Sequence, residues 1–206
     1  MPLKISSSLP SSTSPSPSWL HWDGALGMDL TAALLDLSKS SPRPIIAIDG
    51  PAGGGKTTLA AHLSASLSLK FKCVVLHMDD LYNGWEGAFD HHLTDALTGA
   101  CDSHQKSKRY SLSFYNWSAD RYEAAQEIPE AELLILEGVG SSQEAIRPFL
   151  TASIWIDIDP SVGFQRVIAR DGEAISPAMA RWLVQQDEHF EVNRSRQSAD
   201  FELTTS

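Results

Sequence analysis

Cysteine is scarce in this sequence: Cys73 and Cys101 are the only two among 206 residues. They share no Cys-x-x-Cys spacing and have no histidine at a zinc-ligating interval, which excludes a disulfide framework and a structural zinc site. Basic residues are few as well. Lys plus Arg number 16 against 26 Asp plus Glu, a net charge of −10, and so acidic a chain repels a nucleic-acid backbone or an anionic membrane. Long apolar runs are missing too. Leu133 to Leu136 and Val74 to Leu76 are strand-sized, far short of the ~20 residues a membrane helix requires. Met1 to Ser18 holds eight Ser and four Pro but no continuous apolar stretch, and Lys4 is its only basic residue. Neither a secretory signal nor a transit peptide is expected. Together these absences predict a cytoplasmic protein with reduced thiols and with neither nucleic-acid nor membrane partners.

What is present suffices for one sizeable core: 42% of the residues are hydrophobic. The Ser/Pro-rich stretch 1–18 buries too little to offset its ordering entropy and is expected to stay disordered. Over 19–40, Leu26, Leu30, Leu34 and Leu37 recur at helical spacing, so one helix should pack its apolar stripe on the domain that follows. Ser-Pro-Arg-Pro at 41–44 ends it. From 41 to 206 short apolar runs alternate with helical stretches. Strands are predicted at 45–48, 73–77, 133–136, 153–158 and 201–203, and helices at 56–69, 142–150, 161–170 and 177–197. Strands apolar on both faces and separated by helices predict a parallel sheet of about five strands covered on both sides. The segment 83–129 breaks the pattern. It is polar and aromatic, with Trp85, Phe89, Tyr110, Phe114, Tyr115, Trp117 and Tyr122, and reads as a loop-rich functional insertion.

Gly50-Pro51-Ala52-Gly53-Gly54-Gly55-Lys56-Thr57 fits G-x-x-x-x-G-K-S/T between a predicted strand and a predicted helix. Phosphate oxygens need several backbone N–H donors converging on one point. Glycines leave that point unobstructed, and the helix N-terminus adds partial positive charge. Lys56 is expected on the β- and γ-phosphates of ATP, and the Thr57 hydroxyl on Mg²⁺. The guanine-reading Asn-Lys-x-Asp is absent, and one compact domain lacks room for the additional helical domains of many motor ATPases. Small-molecule kinases lead the remaining classes.

Ligands of open parallel sheets gather at the carboxyl ends of the strands. Two acidic signals stand there. His77-Met78-Asp79-Asp80-Leu81-Tyr82 follows the second strand, where a carboxylate, Asp79 by preference, suits an acceptor hydroxyl or a Mg²⁺-bound water; capping of the next element is the alternative. Leu133 to Leu136 ends in Glu137-Gly138, and an acid beside a phosphate loop normally completes the Mg²⁺ shell.

In that order, Gly50 to Thr58, Asp79 to Tyr82 followed by Gly84-Trp85, Glu137 to Gly140, and Arg166 to Asp171 resemble the uridine kinase-like branch of the phosphate-loop kinases. Asp79 to Trp85, Arg170 to Glu173 and Ala199-Asp200 further resemble bacterial proteins described as uridine kinase-like or ATP-binding. The resemblance covers about residues 44–203. It implies the three-layer α/β/α sandwich of P-loop NTPases, with Gly50, Pro51, Ala52, Gly53, Gly54, Gly55, Lys56, Thr57 and Thr58 around the nucleotide. It further implies Asp79 facing the acceptor hydroxyl with Tyr82 beside it, Glu137 as the Mg²⁺-side acid, and Arg166 and Arg170 as lid arginines. Trp85, Tyr115, Asn116 and Trp117 fall on the acceptor side, where Asn116 replaces the acid of the closer group and Leu81 replaces the usual Phe. A solvated helix face is the alternative for the two arginines.

Two functions are compatible with these residues. One is an ATP- and Mg²⁺-dependent transfer of the γ-phosphoryl group to a hydroxyl of a nucleoside or similar small metabolite. The other is a non-catalytic or hydrolytic ATP-binding module that regulates a partner.

Overall fold

A computed structural model describes residues 3–5 and 25–205 of the chain. Six strands form one parallel sheet: β1 (Leu3–Ile5), β2 (Ile45–Asp49), β3 (Cys73–His77), β8 (Leu133–Glu137), β9 (Ala152–Asp157) and β10 (Phe201–Thr204). Their spatial order is β1-β10-β9-β2-β8-β3. The five expected strands are all present, and β1 adds an edge from within the stretch expected to stay disordered. The rest of that stretch lies outside the described residues, as do 19–24 of the predicted first helix.

Alternation along the strands explains the three layers. On β2, Ile45 and Ala47 face one core while Ile46 and Ile48 face the other; on β8, Leu134 and Leu136 are on the first side, Leu133 and Ile135 on the second. Helices α1 (Ala25–Lys39) and α2 (Lys56–Leu67) cover the second face with Leu30, Leu34, Leu59, Leu63 and Leu67. Leu37, expected in that stripe, is exposed. The first face receives α3 (His91–Gln105) and α5 (Ser176–Asn193), which contribute Leu93, Leu97, Met179 and Trp182; α4 (Pro160–Asp171) adds Val167.

Two expectations are corrected. No α-helix forms over 142–150: Gly138 (φ 132°) and Gly140 (φ 85°) turn the chain, and Pro148 restricts the segment to a 3₁₀ turn at Arg147–Phe149. The segment 83–129 is less loop-rich than its composition suggests, because it contains the fifteen-residue α3. Asp90 caps this helix by accepting from the His92 N–H at 2.8 Å. Leu93, Leu97, Ala100, Cys101 and His104 follow at helical spacing and are buried. Beyond α3 the chain makes a nested hairpin, in which β4 (Ser111–Leu112) pairs with β7 (Gln126–Glu127) and β5 (Tyr115–Asn116) pairs with β6 (Arg121–Tyr122). Both cysteines are free thiols. Among the described residues no helix is long and apolar enough to cross a membrane.

Candidate active site

The phosphate loop leaves β2 at Gly50 and enters α2 at Lys56, between the carboxyl ends of β8 and β9. At Gly53 (φ 77°) a Cβ would lie 2.3 Å from the Gly163 carbonyl oxygen of α4, so the loop and that helix touch backbone to backbone. Gly55 (φ 88°) differs, because a Cβ there would meet nothing within 4 Å. It occupies the N-cap of α2 without a side-chain cap, so open space faces a helix N-terminus whose first N–H groups have no partners within the helix. That is the geometry an anionic phosphate requires.

Lys56 is buried and donates from Nζ to the Pro51 carbonyl oxygen at 2.9 Å. Burial lowers its pKa, while the charges of Glu137, Asp79 and Asp49 pull it back up. The Thr57 hydroxyl donates to Glu137 Oε1 at 3.0 Å, and His77 Nδ1 lies 2.6 Å from Glu137 Oε2. This hydrogen bond is the main cause of a raised His77 pKa. Thr57 and Glu137 thus supply two adjacent oxygen groups, a donor set suited to Mg²⁺ alongside nucleotide phosphates. Among the described residues no group of three or more His, Cys, Asp or Glu side chains could hold a metal ion by itself.

Asp79 sits on the 3₁₀ turn Met78–Asp80 that directly follows β3. Its side chain keeps an exposed face, yet the surrounding walls of the cleft withdraw water from it and raise its pKa. Glu137 and Asp80 push the same way, and Lys56 and Arg170 oppose them. Lys56, Glu137, Asp79 and Arg170 therefore share one electrostatic neighbourhood. The two α4 arginines differ in their contacts. Arg166 donates to the Gly53 carbonyl oxygen at 3.2 Å, whereas Arg170 grips Asp171 through Nε and Nη2 at 2.7 and 2.6 Å.

The residues expected on the acceptor side divide. Trp117 is 40% exposed, packs edge-on against Trp85 at 5.3 Å, and donates Nε1–H to the Asp79 carbonyl oxygen at 2.9 Å. Trp117 thus stands beside Asp79. Tyr82 is buried between Phe89 and Trp182, and its hydroxyl donates to the Val139 carbonyl oxygen. Tyr115 is buried as well, with its hydroxyl on Asp120, a bond that raises its pKa to about 12. Asn116 is taken up by its own hairpin, accepting from Ser118 and Ala119 N–H and donating to Glu123. The polar side chains of all three already have partners within the protein. Thr58 lies half-buried in the first turn of α2.

Several supporting residues escaped the sequence reading. Asp49 is buried, and its carboxylate accepts from Gly50 N and Gly140 N through Oδ1, and from Ser142 N and Oγ through Oδ2. It joins the start of the phosphate loop to the turn after Glu137. Its position just before Gly50 was the only signal. Gln186 on α5 accepts from the Ala52 N–H, and the Thr205 hydroxyl donates to the Gly54 carbonyl oxygen. Nothing local in the sequence marks either one.

Solved structures of three proteins share this fold. A protein described as a possible uridine kinase from Bacillus stearothermophilus superposes with a TM-score of 0.57 at 22% identity, covering 85% of this chain and 100% of that one. A candidate fructose transport system kinase from Silicibacter sp. gives 0.58 at 19% identity, covering 85% and 98%. A candidate P-loop containing kinase with a circular permutation, from Saccharomyces cerevisiae, gives 0.53 at 12% identity, covering 87% and 99%. No curated protein matches the sequence. At these identities the likeness is one of fold. Residues 46–181, more than half of the chain and including both the phosphate loop and the two α4 arginines, match the AAA domain model, and the chain belongs to that family of P-loop proteins.

Proposed function

We propose that the protein is an ATP- and Mg²⁺-dependent phosphotransferase that moves the γ-phosphoryl group to a hydroxyl of a nucleoside or similar small metabolite. One observation supports this reading: two carboxylates stand at the same sheet edge in different surroundings. Glu137 is engaged by Thr57 and His77. Asp79 instead shares the charge neighbourhood of Lys56 and Arg170, and Trp117 donates to its backbone carbonyl oxygen.

In this reading Asp79 accepts the proton of the acceptor hydroxyl as the new oxygen–phosphorus bond forms and the bond to the ADP oxygen breaks. Lys56 and the lid arginines offset the charge on the phosphate oxygens, and the α2 N-terminus holds the phosphates in place. Thr57 and Glu137 would hold Mg²⁺, whose contribution is to neutralise phosphate charge. Trp85 and Trp117 offer apolar ring surface to the acceptor. Positioning and charge, rather than covalent chemistry, provide the acceleration.

A second reading, a hydrolytic or non-catalytic ATP-binding module, draws support from the internal engagement of Tyr82, Tyr115 and Asn116. One experiment separates the two. ADP formation is measured with ATP and Mg²⁺ alone, then with pools of nucleosides, sugars, vitamins and amino alcohols. Acceptor-dependent ADP supports the kinase; low ADP throughout with tight ATP binding supports the module.

A further inference from the structure

The Pro51–Ala52 peptide unit is held at both ends. Its N–H, on Ala52, donates to Oε1 of Gln186 at 2.9 Å. Its carbonyl, on Pro51, accepts from Lys56 Nζ at 2.9 Å and from the Gly54 N–H at 3.2 Å. The peptide is trans, so its N–H and C=O point in opposite directions. Whatever fixes the first aims the second. Gln186 is almost wholly buried, at 2% exposure, and its amide nitrogen is used separately, donating to Asp187. The next peptide is confined from another side, since a Cβ on Gly163 of α4 would lie 2.5 Å from the Ala52 carbonyl oxygen.

We propose that Gln186 is a positioning residue for the phosphate loop: by holding the Ala52 N–H it directs the Pro51 carbonyl and so sets where the Lys56 ammonium rests before nucleotide arrives. Without the Gln186 oxygen the peptide is held at its carbonyl end alone, the Ala52 donor loses a buried partner, and the resting place of Lys56 is less firmly set. Gln185, one residue earlier, donates from Nε2 to the Trp85 carbonyl oxygen at 3.2 Å. Consecutive residues of α5 therefore hold the phosphate loop and the Trp85 backbone. The role of Gln186 depends on nucleotide binding and not on phosphoryl transfer, so it stands or falls apart from the proposed kinase activity.

The test compares the full chain with Gln186→Met, which keeps the volume but removes the acceptor, and with Gln185→Met as a control. Equilibrium binding of a non-hydrolysable ATP analogue with Mg²⁺ is measured beside thermal unfolding. Gln186→Met should weaken analogue binding about tenfold, the consequence of leaving one half-buried donor unpaired, and Gln185→Met should leave it within about twofold on the same scale. Analogue affinity unchanged in Gln186→Met, with only a lower unfolding temperature, would reduce Gln186 to a structural residue and overturn the proposal. A second measurement needs no variant: the Ala52 amide of the nucleotide-free protein should exchange its hydrogen slowly. Exchange as fast as in an open loop would contradict the bond on which the proposal rests.

Discussion

Glu137 and Thr57 meet at the mouth of the phosphate loop, 80 residues apart in the chain but with the threonine hydroxyl 3.0 Å from the carboxylate. The contact exists because β2 and β8 are parallel neighbours with Ile48 in register with Glu137, so the loop that follows one strand opens beside the last residue of the other. Thr57→Ala should weaken nucleotide binding more in the presence of Mg²⁺ than in its absence, as should Glu137→Gln. Titration of each variant with and without metal checks this. Equal losses in both conditions would remove the pair from the metal site.

Tyr82 provides a contrast. Its hydroxyl is directed to the Val139 carbonyl inside the core, so Tyr82→Phe should lower stability by about 1–2 kcal/mol and leave nucleotide affinity unchanged. Denaturant unfolding beside nucleotide titration measures both. A large loss of affinity without a loss of stability would return Tyr82 to the ligand side.

How much of this was legible in the sequence follows from the range of each interaction. The strands at 45–49 and 133–137 are buried on both faces and read as four-residue apolar runs closed by an acid. The glycine motif is contiguous, so the phosphate loop was visible as well. The acceptor side was harder. Whether an aromatic residue lines a cleft or fills a core depends on its partners, and Tyr82 finds one 57 residues away. Asn116 occupies the triplet the resemblance singled out, but its side chain is used by the local turn. Gln186 meets Ala52 across 134 residues, a pairing no local pattern announces.

Arg166 and Arg170, which we propose close over the nucleotide, should act alike although their contacts differ. Arg170 shares a charge neighbourhood with Asp79 and Glu137 but is bound to Asp171, and Arg166 rests on Gly53. Substituting either with alanine should reduce turnover more than stability, because exposed ion pairs contribute little to folding. Matched turnover and melting curves test the point. In a nucleotide-bound structure both guanidinium groups should have moved to phosphate oxygens; both pointing into solvent would end the lid assignment.

His104 supplies a test of folding with no reference to activity. Burial chiefly, with help from Arg43, lowers its pKa from 6.5 to about 4, against a hydrogen bond to Pro44. The unfolded chain therefore takes up a proton near pH 6.5 that the folded chain refuses until about pH 4. Its contribution to stability is complete above pH 6.5 and falls as the pH drops towards 4. Between pH 7 and pH 5 the loss is on the order of 1 kcal/mol after allowance for water at its rim. His104→Gln should flatten the stability profile across that interval, and an unchanged slope would contradict the assignment.

The most direct measurement concerns Asp79. Acceptor-dependent ADP formation from ATP and Mg²⁺ is followed for the native protein, for Asp79→Asn and for Asp80→Asn, with nucleotide affinity measured alongside. The native protein should respond to one acceptor pool, and its turnover should fall on acidification at a pH above the ordinary aspartate range, because the cleft raises the Asp79 pKa. Asp79→Asn should reduce acceptor-dependent turnover at least about a hundredfold with little change in nucleotide affinity, and Asp80→Asn should have a smaller effect. ADP formation indifferent to every acceptor pool, or an Asp79→Asn variant as active as the native protein, would contradict the phosphotransferase account.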